Sequence, residues 1–136
     1  MAGEQILVVE DNEKNMKLVR DVLQATGYRT LEATTGAGAV ALATEHRPDL
    51  VLMDVQLPDI DGIETLGRLR SEEHTASIPV IAVTAQAMQG DRERFLAAGF
   101  DGYVPKPVNI VELVRIVKQH CERRQSDTAW PRSQPG

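Results

Sequence analysis

The chain has 136 residues, 42% of them hydrophobic and 26% charged, with a formal net charge of −5. That length fits one domain with a buried core, and the acidic balance argues against nucleic-acid or anionic-membrane binding, since both need a basic surface. A single cysteine, Cys121, excludes an internal disulfide, no apolar run reaches membrane-spanning length, and Met1–Gln5 lacks the basic and apolar parts of a signal peptide, so a cytoplasmic protein is expected.

Gln5–Glu10 reads as a buried strand. Asn12 or Asp11 is placed to cap a helix over Glu13–Thr26, with Met16, Val19 and Leu23 on one face and Gly27 at its end. Tyr28–Ala33 is a weaker, mixed run and is predicted as an edge strand. An Ala-rich helix over Gly38–His46 is stopped by Pro48. The strand Asp49–Asp54 leads into a loop from Val55 to Asp61. The next helix, Gly62–Ser71, turns Ile63, Leu66 and Leu69 inward. Pro79 opens a strand that runs to Thr84, and a helix around Met88–Ala98 closes at Gly99. A short strand over Gly102–Pro105 contains a proline that a central strand would not tolerate, so it belongs at the other edge.

The last helix is predicted over Ile110–Arg123, with Ile110, Leu113, Val114, Val117 and Cys121 as one inward stripe. Val111 and Ile116 fall on opposite flanks of that stripe. They either broaden the core face, which is the commoner outcome, or widen an exposed apolar surface for a partner helix or a second copy. Residues 4–124 form the expected domain. Residues 125–136, with Trp130-Pro131, are polar and hold two prolines, so a disordered tail without a DNA-binding module is expected.

Strand and helix periods thus alternate along the chain, which predicts an α/β fold with a doubly wound parallel sheet of five strands and five helices. In such a sheet, ligands sit outside the carboxyl ends of the strands. Here four apolar runs end in Glu10-Asp11, Asp54, Thr84 and Lys106-Pro107. Three acids, a hydroxyl and an amine are therefore expected to meet at one rim. Three carboxylates at one rim repel each other unless a cation joins them. Mg²⁺ suits the cluster, being hard, oxygen-seeking and tolerant of retained waters.

Val9-Glu10-Asp11-Asn12, Leu52-Met53-Asp54, Pro58-x-x-Asp61-Gly62, Val83-Thr84-Ala85 and Lys106-Pro107 together resemble the receiver domain of two-component response regulators over residues 5–123. Glu10–Leu18 and Val83–Arg94 are most similar to single-domain DivK-type, CheY-like regulators, and receivers fused to hybrid histidine kinases share those stretches. The resemblance implies strand order 2-1-3-4-5. It implies Asp54 as the residue that accepts phosphate from a histidine kinase or histidine phosphotransferase. Asp11 and Asp54 are implied as direct Mg²⁺ ligands, with Glu10 acting mostly through water and Gln56 supplying its main-chain carbonyl. Glu10 is often Asp in that family. Thr84 and Lys106 are implied as partners of the phosphoryl oxygens, with a cis Lys106-Pro107 bond. Tyr103 falls at the aromatic switch position, and output is expected through the face of the fourth helix, the last strand and the last helix, with phosphorylation-dependent self-association as one form of it.

Three histidines, His46, His74 and His120, lie near helix ends, where solvated or dipole-favourable roles fit better than phosphate or metal chemistry. Cys121 fits the core better than a reactive role. A phosphatase of the haloacid-dehalogenase type is the rival from the enzyme class, but it needs Asp-x-Asp after the first strand, where this chain has Glu10-Asp11-Asn12-Glu13. A flavodoxin-like nucleotide or flavin binder would need a Gly- or hydroxyl-rich loop in place of those acids. No external substrate is expected, so the chain reads as a switch rather than an enzyme. A receiver cut from a hybrid kinase is the remaining alternative.

Overall fold

The amphipathic periods resolve into regular elements in a computed structural model that describes residues 3–85 and 91–133. In chain order these are β1 (Gln5–Val9), α1 (Glu13–Ala25), β2 (Arg29–Ala33), α2 (Gly36–His46), β3 (Leu50–Asp54), α3 (Gly62–Ser71), β4 (Val80–Thr84), α4 (Asp91–Ala98), β5 (Gly102–Pro105) and α5 (Ile110–Ser133). Side-chain caps set the helix starts. Asn12 accepts from the Asn15 N–H at 3.0 Å, Thr35 from Gly38 at 3.0 Å, and Asp61 from Glu64 at 2.8 Å. The cap at Thr35 explains why α2 begins before Gly38. Left-handed residues help end three helices: Gly27 (φ 97°) after α1, Arg47 (φ 47°) after α2 and Gly99 (φ 115°) after α4. The expected start of α4 at Met88 lies outside the described residues.

The five strands are all parallel and ordered β2-β1-β3-β4-β5, with β2 and β5 at the edges as the sequence predicts. Alternate strand residues feed two cores. Ile6, Val8, Leu50, Leu52, Ile81 and Val104 pack under α1 and α5, meeting Met16, Val19 and Leu23 from the first and Leu113, Val117 and Cys121 from the second. Leu7, Val9, Val51, Met53, Val80 and Ala82 face α2, α3 and α4, meeting Ala39, Ala43, Leu66, Leu69 and Phe95. Burying each such large side chain contributes about 1.5–3 kcal/mol, so the register of the central strands is strongly specified. A one-residue slip would turn each core into the other.

Opposite the strand carboxyl ends, one guanidinium joins several segments. Arg70 at the end of α3 donates to the carbonyls of Ala76 (3.0 Å), Ile78 (2.6 Å) and Gly99 (3.1 Å) and to Asp101 Oδ2 (2.8 Å). The same Asp101 oxygen accepts from the Val80 N–H at 2.9 Å. His120 on α5 reaches the Asp101 carbonyl at 3.2 Å, far from the acidic rim.

The last helix departs from expectation in two ways. Ile110, assigned to the inward stripe, is 47% exposed, whereas Ile116 takes the commoner of its two expected outcomes, 8% exposed and part of the α1–α5 core. Val111 is 78% exposed. The reason is positional. The first turn of α5 lies at the rim, just after the loop from β5, and the covered stripe begins at Leu113. Finally, α5 continues to Ser133 instead of ending near Arg123 before a disordered tail. No glycine or proline interrupts residues 108–130, so nothing in the backbone chemistry stops the helix there.

Candidate functional site

Parallel register brings the strand ends level. Val9 pairs with Met53, Asp54 with Val83, and Thr84 with Pro105. The residues that follow β1 and β5 and the residues that end β3 and β4 therefore share one rim. Glu10 and Asp54 are buried there and Asp11 is exposed, and one oxygen from each of the three carboxylates falls within 4.8 Å of the others.

Glu10 is held at both oxygens. Oε2 accepts from the Asn12 N–H at 3.1 Å, and Oε1 faces Lys106 Nζ at 2.9 Å. Asp54 is held in the same way, with Oδ1 accepting from the Gln56 N–H at 3.0 Å and Oδ2 from Lys106 Nζ at 3.1 Å. Lys106 reaches both acids because its own backbone is fixed. Its N–H donates to the Thr84 carbonyl at 2.8 Å, and the Lys106-Pro107 bond is cis. Thr84 is fully buried at the end of β4.

Burial raises the Glu10 carboxyl above its ordinary value, with a further push from Asp54, against the lowering by Lys106 and the Asn12 N–H. Burial works against the charge on Lys106, but hydrogen bonds and attraction from Glu10 and Asp54 outweigh it and raise the ammonium. One ammonium faces three carboxylates, so the cluster remains short of positive charge. An all-oxygen donor set with an exposed member fits a hard divalent cation that keeps part of its water shell.

Glu10, Asp11, Asp54 and Lys106 thus converge as the sequence anticipates, with Thr84 and Gln56 beside them. Tyr103 stands apart from the acids, half-buried on the α4 side, its ring against Phe95. A groove of about 540 Å³ opens there between α4, β5 and α5, lined by Tyr103, Leu96, Arg115, Ile116 and His120. The three histidines take no part in the acidic cluster.

Sequence reasoning missed Asp59. Its two oxygens accept from the Gly36 and Ala37 N–H groups at 2.8 and 2.9 Å, which ties the loop after β3 to the start of α2. The Ala37 and Gly36 amides lower its pKa to about 2. Gly36 permits a matching contact, since a Cβ there would meet Ile60 Cγ1 at 2.4 Å. Nothing in the sequence marks this pairing, which joins residues far apart in the chain.

Comparison with known proteins gives a consistent set of relatives. The response regulator receiver domain family matches residues 6–118. The polar-differentiation response regulator DivK of Brucella anthropi is 46% identical over 115 residues, covering 85% of this chain and 94% of that protein. DivK of Brucella ovis matches to the same extent. Among solved structures, the receiver domain of the sensor histidine kinase PA1611 from Pseudomonas aeruginosa is 40% identical with a TM-score of 0.82, covering 89% of this chain and 99% of that one. That structure has a magnesium ion coordinated in its active site cleft. The chemotaxis response regulator CheY4 of Vibrio cholerae is 25% identical, also with a TM-score of 0.82, over 88% of this chain and 99% of that one.

Proposed function

Since the chain belongs to the response regulator receiver domain family, we propose that it is a cytoplasmic, single-domain response regulator that accepts a phosphoryl group on Asp54. The observation that carries this reading is the Lys106 ammonium seated between Glu10 and Asp54, at 2.9 and 3.1 Å, on a rim that also bears Asp11. The donor would be the phosphohistidine of a histidine kinase or histidine phosphotransferase. The Asp54 carboxylate attacks phosphorus, the P–N bond breaks, and the histidine leaves as imidazole. An ionised carboxylate needs no general base.

Phosphoryl transfer depends on positioning and charge neutralisation more than on covalent chemistry by the protein. Lys106 would follow a phosphoryl oxygen with its ammonium, and the Thr84 hydroxyl would donate to another. Glu10, Asp11, Asp54 and the Gln56 main-chain carbonyl would hold Mg²⁺. When bound, Mg²⁺ supplies positive charge against the developing phosphoryl charge. The chain acts on itself and has no external substrate. Its output would be altered contact with partner proteins through the α4–β5–α5 face, where Tyr103 opens onto the groove.

Incubation with a phosphorylated histidine donor and Mg²⁺ tests the reading. Wild type should acquire one acyl phosphate, and Asp54→Asn should fold but remain unlabelled. Absence of label on wild type, or full labelling of Asp54→Asn, would overturn it. A second reading, a receiver that belongs to a larger sensor kinase, is favoured by the 40% identity to the PA1611 receiver. The gene's full reading frame separates the two.

A further inference from the structure

The loop after β3 must hold its shape if Gln56 is to present a backbone oxygen beside Asp54. Its near end is closed by the Gly62 N–H donating to the Val55 carbonyl at 2.8 Å. Gly62 itself has no room for a side chain, because a Cβ would meet Val55 Cα at 2.7 Å. Leu57 packs on the α2–α4 core. The far side of the loop is fastened to another element altogether. Asp59 Oδ1 and Oδ2 take the first two N–H groups of α2, those of Gly36 and Ala37. Thr35 separately takes the third, at Gly38. Ile60 sits over Gly36. The N–H groups of the first three residues of α2 are thereby satisfied, one by the N-cap Thr35 and two by a residue distant in sequence.

We propose that Asp59 is a positioning residue for the cation site: by clamping the loop to α2 it holds the Gln56 backbone in place beside Asp54. This rests on the Mg²⁺-binding reading above. A carboxylate accepting two backbone N–H bonds fixes a loop in two directions, which a single acceptor cannot do. The residue is exposed and lies outside the acidic cluster of Glu10, Asp11 and Asp54, so its effect passes through the loop. Groups that support ligands from outside a metal site commonly change metal affinity by about 10–100-fold, and the indirect route here points to the lower end of that range.

The test is a calorimetric titration of wild type, Asp59→Ala, Asp59→Asn and Thr35→Ala with Mg²⁺ alone, alongside amide exchange at Gln56 in metal-free protein. Thr35→Ala removes a cap from the same helix without releasing the loop, so it controls for a purely structural effect. Expected are about tenfold weaker Mg²⁺ binding and faster Gln56 exchange in Asp59→Ala, an intermediate effect in Asp59→Asn, and wild-type behaviour in Thr35→Ala. Should Asp59→Ala fail to fold, Asp59→Asn carries the comparison. Unchanged affinity and exchange in the Asp59 variants, or equal weakening in Thr35→Ala, would overturn the inference. If wild type itself binds no Mg²⁺, the cation reading fails and the inference fails with it, a result distinct from either of those.

Discussion

Tyr103 stacks on Phe95, with ring centroids 5.7 Å apart and planes 24° from parallel. Phe95 is fully buried and also meets Phe100 edge-on at 6.0 Å, so the Tyr103 ring has a fixed wall on one side and the groove on the other. Aromatic pairs of this kind contribute about 0.5–1.5 kcal/mol beyond burial. On the proposed function, that is small enough for phosphorylation to overcome.

Tyr103→Ala should therefore accept phosphate on Asp54 at the wild-type level yet lose phosphate-dependent binding to its target. Tyr103→Phe keeps the ring, so it should retain most of that response. A phosphotransfer assay and a binding titration on the same samples make the comparison. Full partner response in Tyr103→Ala would remove Tyr103 from the output path.

Mg²⁺ should stabilise the protein before any phosphate arrives. At a free concentration a hundred times the dissociation constant, binding adds about 2.7 kcal/mol, a rise on the order of 10 °C in the melting temperature for a domain of this size. Asp11→Ala removes an exposed ligand candidate and should show much less of that rise. Equal shifts in both proteins would contradict the assigned ligands.

Ile110 and Val111 form an exposed apolar pair at the start of α5. Replacing both with serine should cost little stability, within about 0.5 kcal/mol per site, while weakening target binding or phosphate-dependent self-association. Ile116→Ser should behave differently, losing roughly 2 kcal/mol or more because it places a hydroxyl in the core. Denaturant midpoints separate the two classes. Unimpaired binding by the double variant would move the partner to another surface.

Asp59 also predicts a pH dependence. Its folded pKa of about 2 lies below the ordinary carboxylate value near 4, so the folded chain binds fewer protons there. Its contribution is present above that ordinary value and is lost as pH falls toward the folded one. The stability advantage of wild type over Asp59→Asn should therefore shrink progressively as pH falls from about 5 through the folded value of about 2. An advantage that stayed constant over this window would mean that the charge on Asp59 does not matter to folding.

Much of this was readable from residue order. The cap at Asn12, Gly99 after α4, and the acids that end the apolar runs are local signals, and local signals survive folding. The rim at Glu10, Asp11, Asp54, Thr84 and Lys106 was legible because parallel register alone levels the strand ends. Two things were not legible. The exposure of Ile110 and burial of Ile116 depend on where α5 first meets the sheet, which helical periodicity leaves open. Asp59 reaches back 23 positions to Gly36, and a contact of that kind is decided by how neighbouring loops cross.

The Arg70 clamp has a mechanical consequence. By gripping Ala76, Ile78, Gly99 and Asp101 together, it ties the end of α3 to the segments that precede β4 and β5, at the pole opposite the acids. Slow amide exchange at Val80, whose N–H is bound to the clamped Asp101, should persist whether or not Asp54 carries phosphate.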